Sequence, residues 1–155
     1  MSIVHLHLLL NHVPVVGTLF SLVLFAAAIL LRETVSTRFA LGFSATIAVV
    51  AVAVYFTGGP AEKVVEKLAG VTERAIEQHE EAAKLSTIAM STFGALSLAA
   101  LLIFHNGKMP RWVGAAGLAG TVVLSALMGW TANLGGRIRH TEIRSANFQQ
   151  SGNTD

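Results

Sequence analysis

Residues Val13 to Leu31 read VPVVGTLFSLVLFAAAILL, nineteen residues without one charged side chain. At a rise of about 1.5 Å per residue, a helix of that length nearly matches the ~30 Å hydrocarbon core of a bilayer. Three further stretches repeat the pattern. Phe39 to Thr57 is uncharged and rich in Ala, Val and Ile. Ala82 to Phe104 holds one charge, Lys84, near its start, and Trp112 to Ala132 holds none. The β-branched residues of the second stretch would also suit a buried strand, but its length and lack of turn signals favour a helix. Tyr55, Trp112 and Trp130 fall at span ends, where an aromatic belt belongs. The first stretch lacks a basic leader and is followed by more spans, so it does not read as a signal peptide.

Composition agrees. Of 155 residues, 53% are hydrophobic and 13% charged, with a mean hydropathy of +0.61. The expected fold is all-α: an integral membrane four-helix bundle in one domain over residues 1–144, followed by a polar, disordered tail over 145–155. Cysteine is absent, which excludes disulfides and thiolate ligands. The net charge of +2 comes from Lys and Arg scattered at helix ends. It makes no basic face, so nucleic acid is not an expected partner.

Threading four spans through a bilayer sorts the six histidines. His5, His7 and His12 precede or open span one, His79 lies just before span three, and His140 follows span four. All five fall on the face that carries the N-terminus, here called the near face. Only His105 is on the far face. Histidine is the commonest metal ligand among side chains, so this clustering points to a cofactor.

Between spans two and three, Gly58-Gly59-Pro60 reads as a break, with Pro60 in the first turn of a new helix. Val64, Val65, Leu68 and Val71 then form an apolar stripe opposite Glu62, Lys63, Glu66 and Lys67. This predicts an extra short amphipathic helix at the interface, ended by Gly70. Thr72 suits the N-cap of the next helix, with Glu73 at its positive end. That helix can run unbroken through His79 into span three. Ala83, Ser86, Met90, Phe93 and Ser97 follow on the face of His79; small residues there suit either a flat macrocycle or close helix packing. Gly114, Gly117 and Gly120 read as packing against another helix.

At the N-terminus, His7 and His12 lie five residues apart, about 140° around a helix, and so would face different partners. That favours ligands for two centres over one chelating pair. His5 shares a face with His12 and is an alternative to His7. In the C-terminal motif, Gly135-Gly136 suits a helix C-cap or the close approach of a bulky cofactor. Arg137 and Arg139 could pair with haem propionates, since guanidinium binds carboxylates bidentately; they also read as a basic membrane flank.

These motifs resemble a family of small bacterial four-helix membrane proteins catalogued as domain of unknown function 2231. Its members open with a pattern like H-P-x-x-V-H-F-P-I, matched by His7, His12, Pro14 and Val15. Leu8 and Val13 depart from it. Thr57-Gly58 resembles a Thr-Gly near the end of the family's span two, and His79 its histidine before span three. The family closes with a motif like G-x-L-G-G-x-L-V-Y-x-H-G. Leu134, Gly135, Gly136, Ile138 and His140 are similar to it, with a shorter spacing and without the tyrosine and last glycine. The resemblance covers residues 5 to 140. It carries no established activity, but it implies that His7, His12, His79 and His140 belong together.

Three functions fit. The first is a membrane b-type cytochrome, with one or two haem b groups held by paired histidines and electrons exchanged with a quinone or a redox protein. The second is a non-haem site in which histidine with Glu77, Glu80 or Glu81 binds Zn, Cu or Fe. The third is a cofactor-free structural subunit of a membrane complex. No Ser-His-Asp arrangement or phosphate loop supports a stand-alone enzyme, and the spans hold no Asp or Glu, which disfavours an ion path. The near face carries more Lys and Arg in total. However, Arg32 and Arg38 directly follow the first span, whose flanks usually dominate orientation. The expectation is a bacterial inner-membrane protein with the histidine-rich face outside.

Overall fold

Ser2 starts the first helix. Its Oγ accepts the His5 backbone N–H at 3.3 Å, satisfying one of the donors left free at a helix start, and α1 runs Ile3–Leu10. The structure is a computed structural model that describes residues 2–67 and 71–139, with every side chain in them except those of Val65 and Arg139.

After the single turn residue Asn11, α2 runs His12–Leu31. Pro14 accounts for this division: it has no N–H to give the Leu10 carbonyl, and its ring crowds that carbonyl. Asn11 stands at the start of α2 but makes no side-chain cap. Its backbone is helical (φ −65°, ψ −20°), so α1 and α2 make nearly one rod. At the other end Arg32 takes a left-handed conformation (φ 56°) and its N–H bonds the Ala28 carbonyl at 3.0 Å, which closes the helix.

The third helix corrects an expectation. α3 runs Thr34–Val65 without a break, so Gly58-Gly59-Pro60 does not end span two and, among the described residues, no separate amphipathic helix follows. Glycine lowers helix propensity by about 1 kcal/mol but does not forbid helical angles. Pro60 removes one donor, toward the Phe56 carbonyl. Against these, Ala61 is buried and the Glu66 N–H reaches the Glu62 carbonyl at 2.9 Å. Residues 68–70, including Leu68 and Gly70, lie outside the described residues.

Thr72 is extended at the N-cap position of α4, Glu73–Ile103, though its side chain makes no cap bond. As expected, α4 passes unbroken through His79. α5 runs Arg111–Arg139 and therefore takes Gly135 and Gly136 inside the helix, not at a C-cap. The tail, with His140, lies outside the described residues.

Ile3–Leu31, Thr34–Val64, Glu73–Ile103 and Arg111–Ile138 are each long and apolar enough to cross a membrane. The fold is that of an integral membrane protein. The long helices pack mainly in the ring order α2–α3–α4–α5, with a slight α3–α5 contact across one diagonal and α2 opposite α4 on the other. Ile47, Ala48, Ala51, Met90, Leu124 and Met128 form the core of the near half. Phe25, Ala40, Leu41, Met109 and Val113 form the far half. Phe93 packs against both.

The bundle axis is filled at mid-depth. Phe25 and Phe93 meet edge to face, with centroids 6.2 Å apart, across the α2–α4 diagonal. Phe25 lies where a side chain on Gly117 would be, and a Cβ on Gly120 would come within 2.5 Å of the Phe93 ring. The glycine repeat of α5 thus admits two aromatic rings, as close helix packing requires. Met90, Ser86 and Ser97 on the His79 face of α4 are buried, so that stripe is also packed. Leu30, Val35, Val49, Phe56 and Ile103 are largely exposed, and so are Trp112 and Trp130 at the ends; these surfaces suit lipid.

Candidate functional site

At the near end, α1 packs on α3 and on the start of α2, and it approaches neither α4 nor α5. The bundle is therefore less closed there than elsewhere. His7 reaches this mouth from α1 and His79 from α4, and the two are within electrostatic range of each other. Both are partly buried.

Each imidazole is fixed by a different neighbouring helix. His7 Nδ1 lies 2.8 Å from Thr57 Oγ1. The Thr57 hydroxyl has one proton, which it donates to the Val54 carbonyl at 2.6 Å. Thr57 must therefore accept, and His7 Nδ1 must carry the proton. His79 Nδ1 lies 3.1 Å from the Thr131 carbonyl. A carbonyl can only accept, so the same tautomer follows. Among the described residues neither Nε2 has a hydrogen-bond partner, so both lone pairs stay uncommitted.

The His79 site depends on a local device. In a helix, the carbonyl of residue i is covered by residue i+4. Glycine at that position lets an outside ring approach the carbonyl. Gly135 follows Thr131 by four, and a Cβ there would stand 3.0 Å from His79 Cε1. Gly58, next to Thr57, is less constrained: a Cβ there would meet His7 Cε1 at 3.6 Å, an ordinary contact. The α1–α2–α3 hairpin and the α4–α5 hairpin each bring a histidine near the start of the first arm to a threonine and a glycine near the end of the second. On α4, Ser86 extends the second cluster: its Oγ lies 2.8 Å from Thr131 Oγ1.

The other histidines bond locally. His12 is exposed and its Nδ1–H donates to the Leu8 carbonyl at 2.7 Å. His5 is exposed, with Nδ1 2.8 Å from Ser2 Oγ. His105 is exposed on the far face, 2.8 Å from the Leu102 carbonyl. Arg137 is exposed in the last turns of α5. His140 and the Arg139 side chain lie outside the description. Among the described residues no three His, Asp or Glu side chains gather as a metal-chelating group. Glu77, Glu80 and Glu81 are exposed.

Haem iron bound by two neutral imidazoles needs two ring nitrogens with free lone pairs, and such rings are commonly held by a hydrogen bond at the other nitrogen. His7 and His79 meet that chemical requirement. A three-ligand metal site is not assembled from the described residues. Sequence reasoning placed His7 and His79 on one face, yet missed Thr131 and the hydroxyl role of Thr57. One signal was present: Gly135, four residues after Thr131 near the exit of α5.

No protein-family model, curated protein or solved structure matches this chain.

Proposed function

We propose that this is a b-type cytochrome-like electron-transfer protein of the membrane, with haem b held at the near mouth by His7 and His79. The observation that carries this reading is their shared geometry: two imidazoles on diagonally opposed arms, each with its Nδ1 proton given to a neighbouring helix and its Nε2 uncommitted. Haem held there supplies one-electron redox chemistry.

The chain's own residues supply the rest. Thr57 and the Thr131 carbonyl orient the rings and fix their tautomer, which sets ligand basicity. Gly135 gives the His79 ring room. Phe25 and Phe93 meet across the bundle axis below the histidines, so that axis is closed at mid-depth. His140 and His12 are the candidates for a second pair, and Arg137 and Arg139 for the propionates. The redox partner is a quinone or a protein, reached alone or within a larger complex or oligomer. The proposed setting is a bacterial inner membrane with the near face outside, in line with the resemblance to domain of unknown function 2231.

Pyridine hemochrome assay and metal analysis on protein purified from haem-replete cells test this. About one or two haems per chain is the expected result. A haem-free preparation containing stoichiometric Zn, Cu or Fe would move the site to the non-haem reading. A preparation with neither would leave a structural subunit.

A further inference from the structure

The opposite end of the molecule carries a second feature. Arg32, Arg38, Lys108 and Arg111 lie at the far end with one carboxylate, Glu33. This makes a surplus of +3, larger than the +2 of the whole chain. Arg38 is the cation set into the bundle. Its Nη2 lies 2.7, 2.7 and 3.0 Å from the carbonyl oxygens of Phe104, His105 and Gly107, which share its two hydrogens. All three are neutral backbone oxygens, so they fix the guanidinium in place without neutralising it. Its Nε is buried and has no partner.

From Arg38 a shallow, open depression runs along one face of α3, formed by Val35, Phe39, Gly42, Phe43 and Thr46 of that helix alone. Its end residues, Val35 and Thr46, are eleven positions apart along the helix, a length of roughly 16 Å. Gly42 forms its floor: a Cβ there would meet nothing within 4 Å. Thr46, the one other polar side chain, turns its hydroxyl back to the Gly42 carbonyl at 3.0 Å, so the wall below Arg38 is apolar in effect.

We propose that this depression binds one anionic phospholipid, its headgroup phosphate paired with Arg38 and one acyl chain lying over Gly42. Charge decides the occupant. An uncompensated guanidinium at the headgroup end, above an apolar trough, complements a phosphodiester carrying net negative charge. A zwitterionic lipid brings its own cation to the same basic surface. The site is independent of any cofactor at the near mouth.

Native mass spectrometry of the full chain in detergent, with phosphatidylglycerol or phosphatidylcholine of identical acyl chains, tests it. Wild type is expected to retain one phosphatidylglycerol and to prefer it by about fivefold for the one buried-end charge. Gly42→Phe fills the trough without touching the guanidinium and should lose the bound lipid. Arg38→Gln keeps donors for the loop carbonyls and should lose the preference between headgroups. Equal retention of the two lipids by wild type, or undiminished retention by Gly42→Phe, overturns the proposal. So does a wild-type dimer that Gly42→Phe abolishes, since that assigns the face to a second copy.

Discussion

His7 Nδ1 and Thr57 Oγ1 are 2.8 Å apart, and because the Thr57 hydroxyl donates onward to Val54, the imidazole is the donor. One hydroxyl thus sets which nitrogen of His7 bears its proton. The parallel contact of His79 with the Thr131 carbonyl does the same on the other hairpin.

Thr57→Val should release the His7 ring while keeping the shape of the residue. The expected loss of stability is about 1 kcal/mol, the net worth of a typical hydrogen bond. Thr57→Ser should keep the bond. Nitrogen NMR of the histidine rings in detergent reads the outcome: the Nδ1–H form of His7 persists with Ser and gives way to a tautomer mixture with Val. An unchanged spectrum in the Val variant would remove Thr57 from the site.

Gly135 and Gly136 are adjacent in α5 and should respond oppositely to alanine. A Cβ on Gly135 would stand 3.0 Å from His79 Cε1 and 3.3 Å from Nδ1, so Gly135→Ala should push the ring off the Thr131 carbonyl. A Cβ on Gly136 meets nothing within 4 Å. There alanine should stabilise the helix by up to about 1 kcal/mol. Thermal melts of the two variants in one detergent give the comparison, and equal shifts would contradict the close approach.

Gly117→Ala tests the mid-bundle plug. Its added carbon would fall on the Phe25 ring, which is fully buried. Overpacking of that kind costs about 1–3 kcal/mol. Reversible unfolding in mixed micelles should show the loss, whereas Gly120→Ala should be milder if the less buried Phe93 ring can shift.

Much of this was legible in the sequence, and the misses have physical causes. Uncharged runs such as Val13 to Leu31 reveal the spans because a bilayer punishes every charge. The side on which His7 and His79 fall follows from counting crossings. The continuation of α3 through Pro60 was not legible, because a proline near a helix end removes only one donor and tertiary packing decides the rest. Gly135 read equally as a cap or a contact, since glycine permits both. The Thr57 and Thr131 partners lie 50 and 52 residues from their histidines, and no local pattern announces contacts at that distance. His140 belongs to the same sequence motif but lies outside the described residues.

The most direct measurement is haem per polypeptide, from reduced-minus-oxidised spectra of membranes carrying His7→Ala, His79→Ala or His105→Ala chains at matched expression. His7→Ala and His79→Ala should each lose or shift the sharp reduced bands of wild type, with His105→Ala unchanged on the far face. Wild-type bands in all three variants, or in none including wild type, would contradict ligation by His7 and His79.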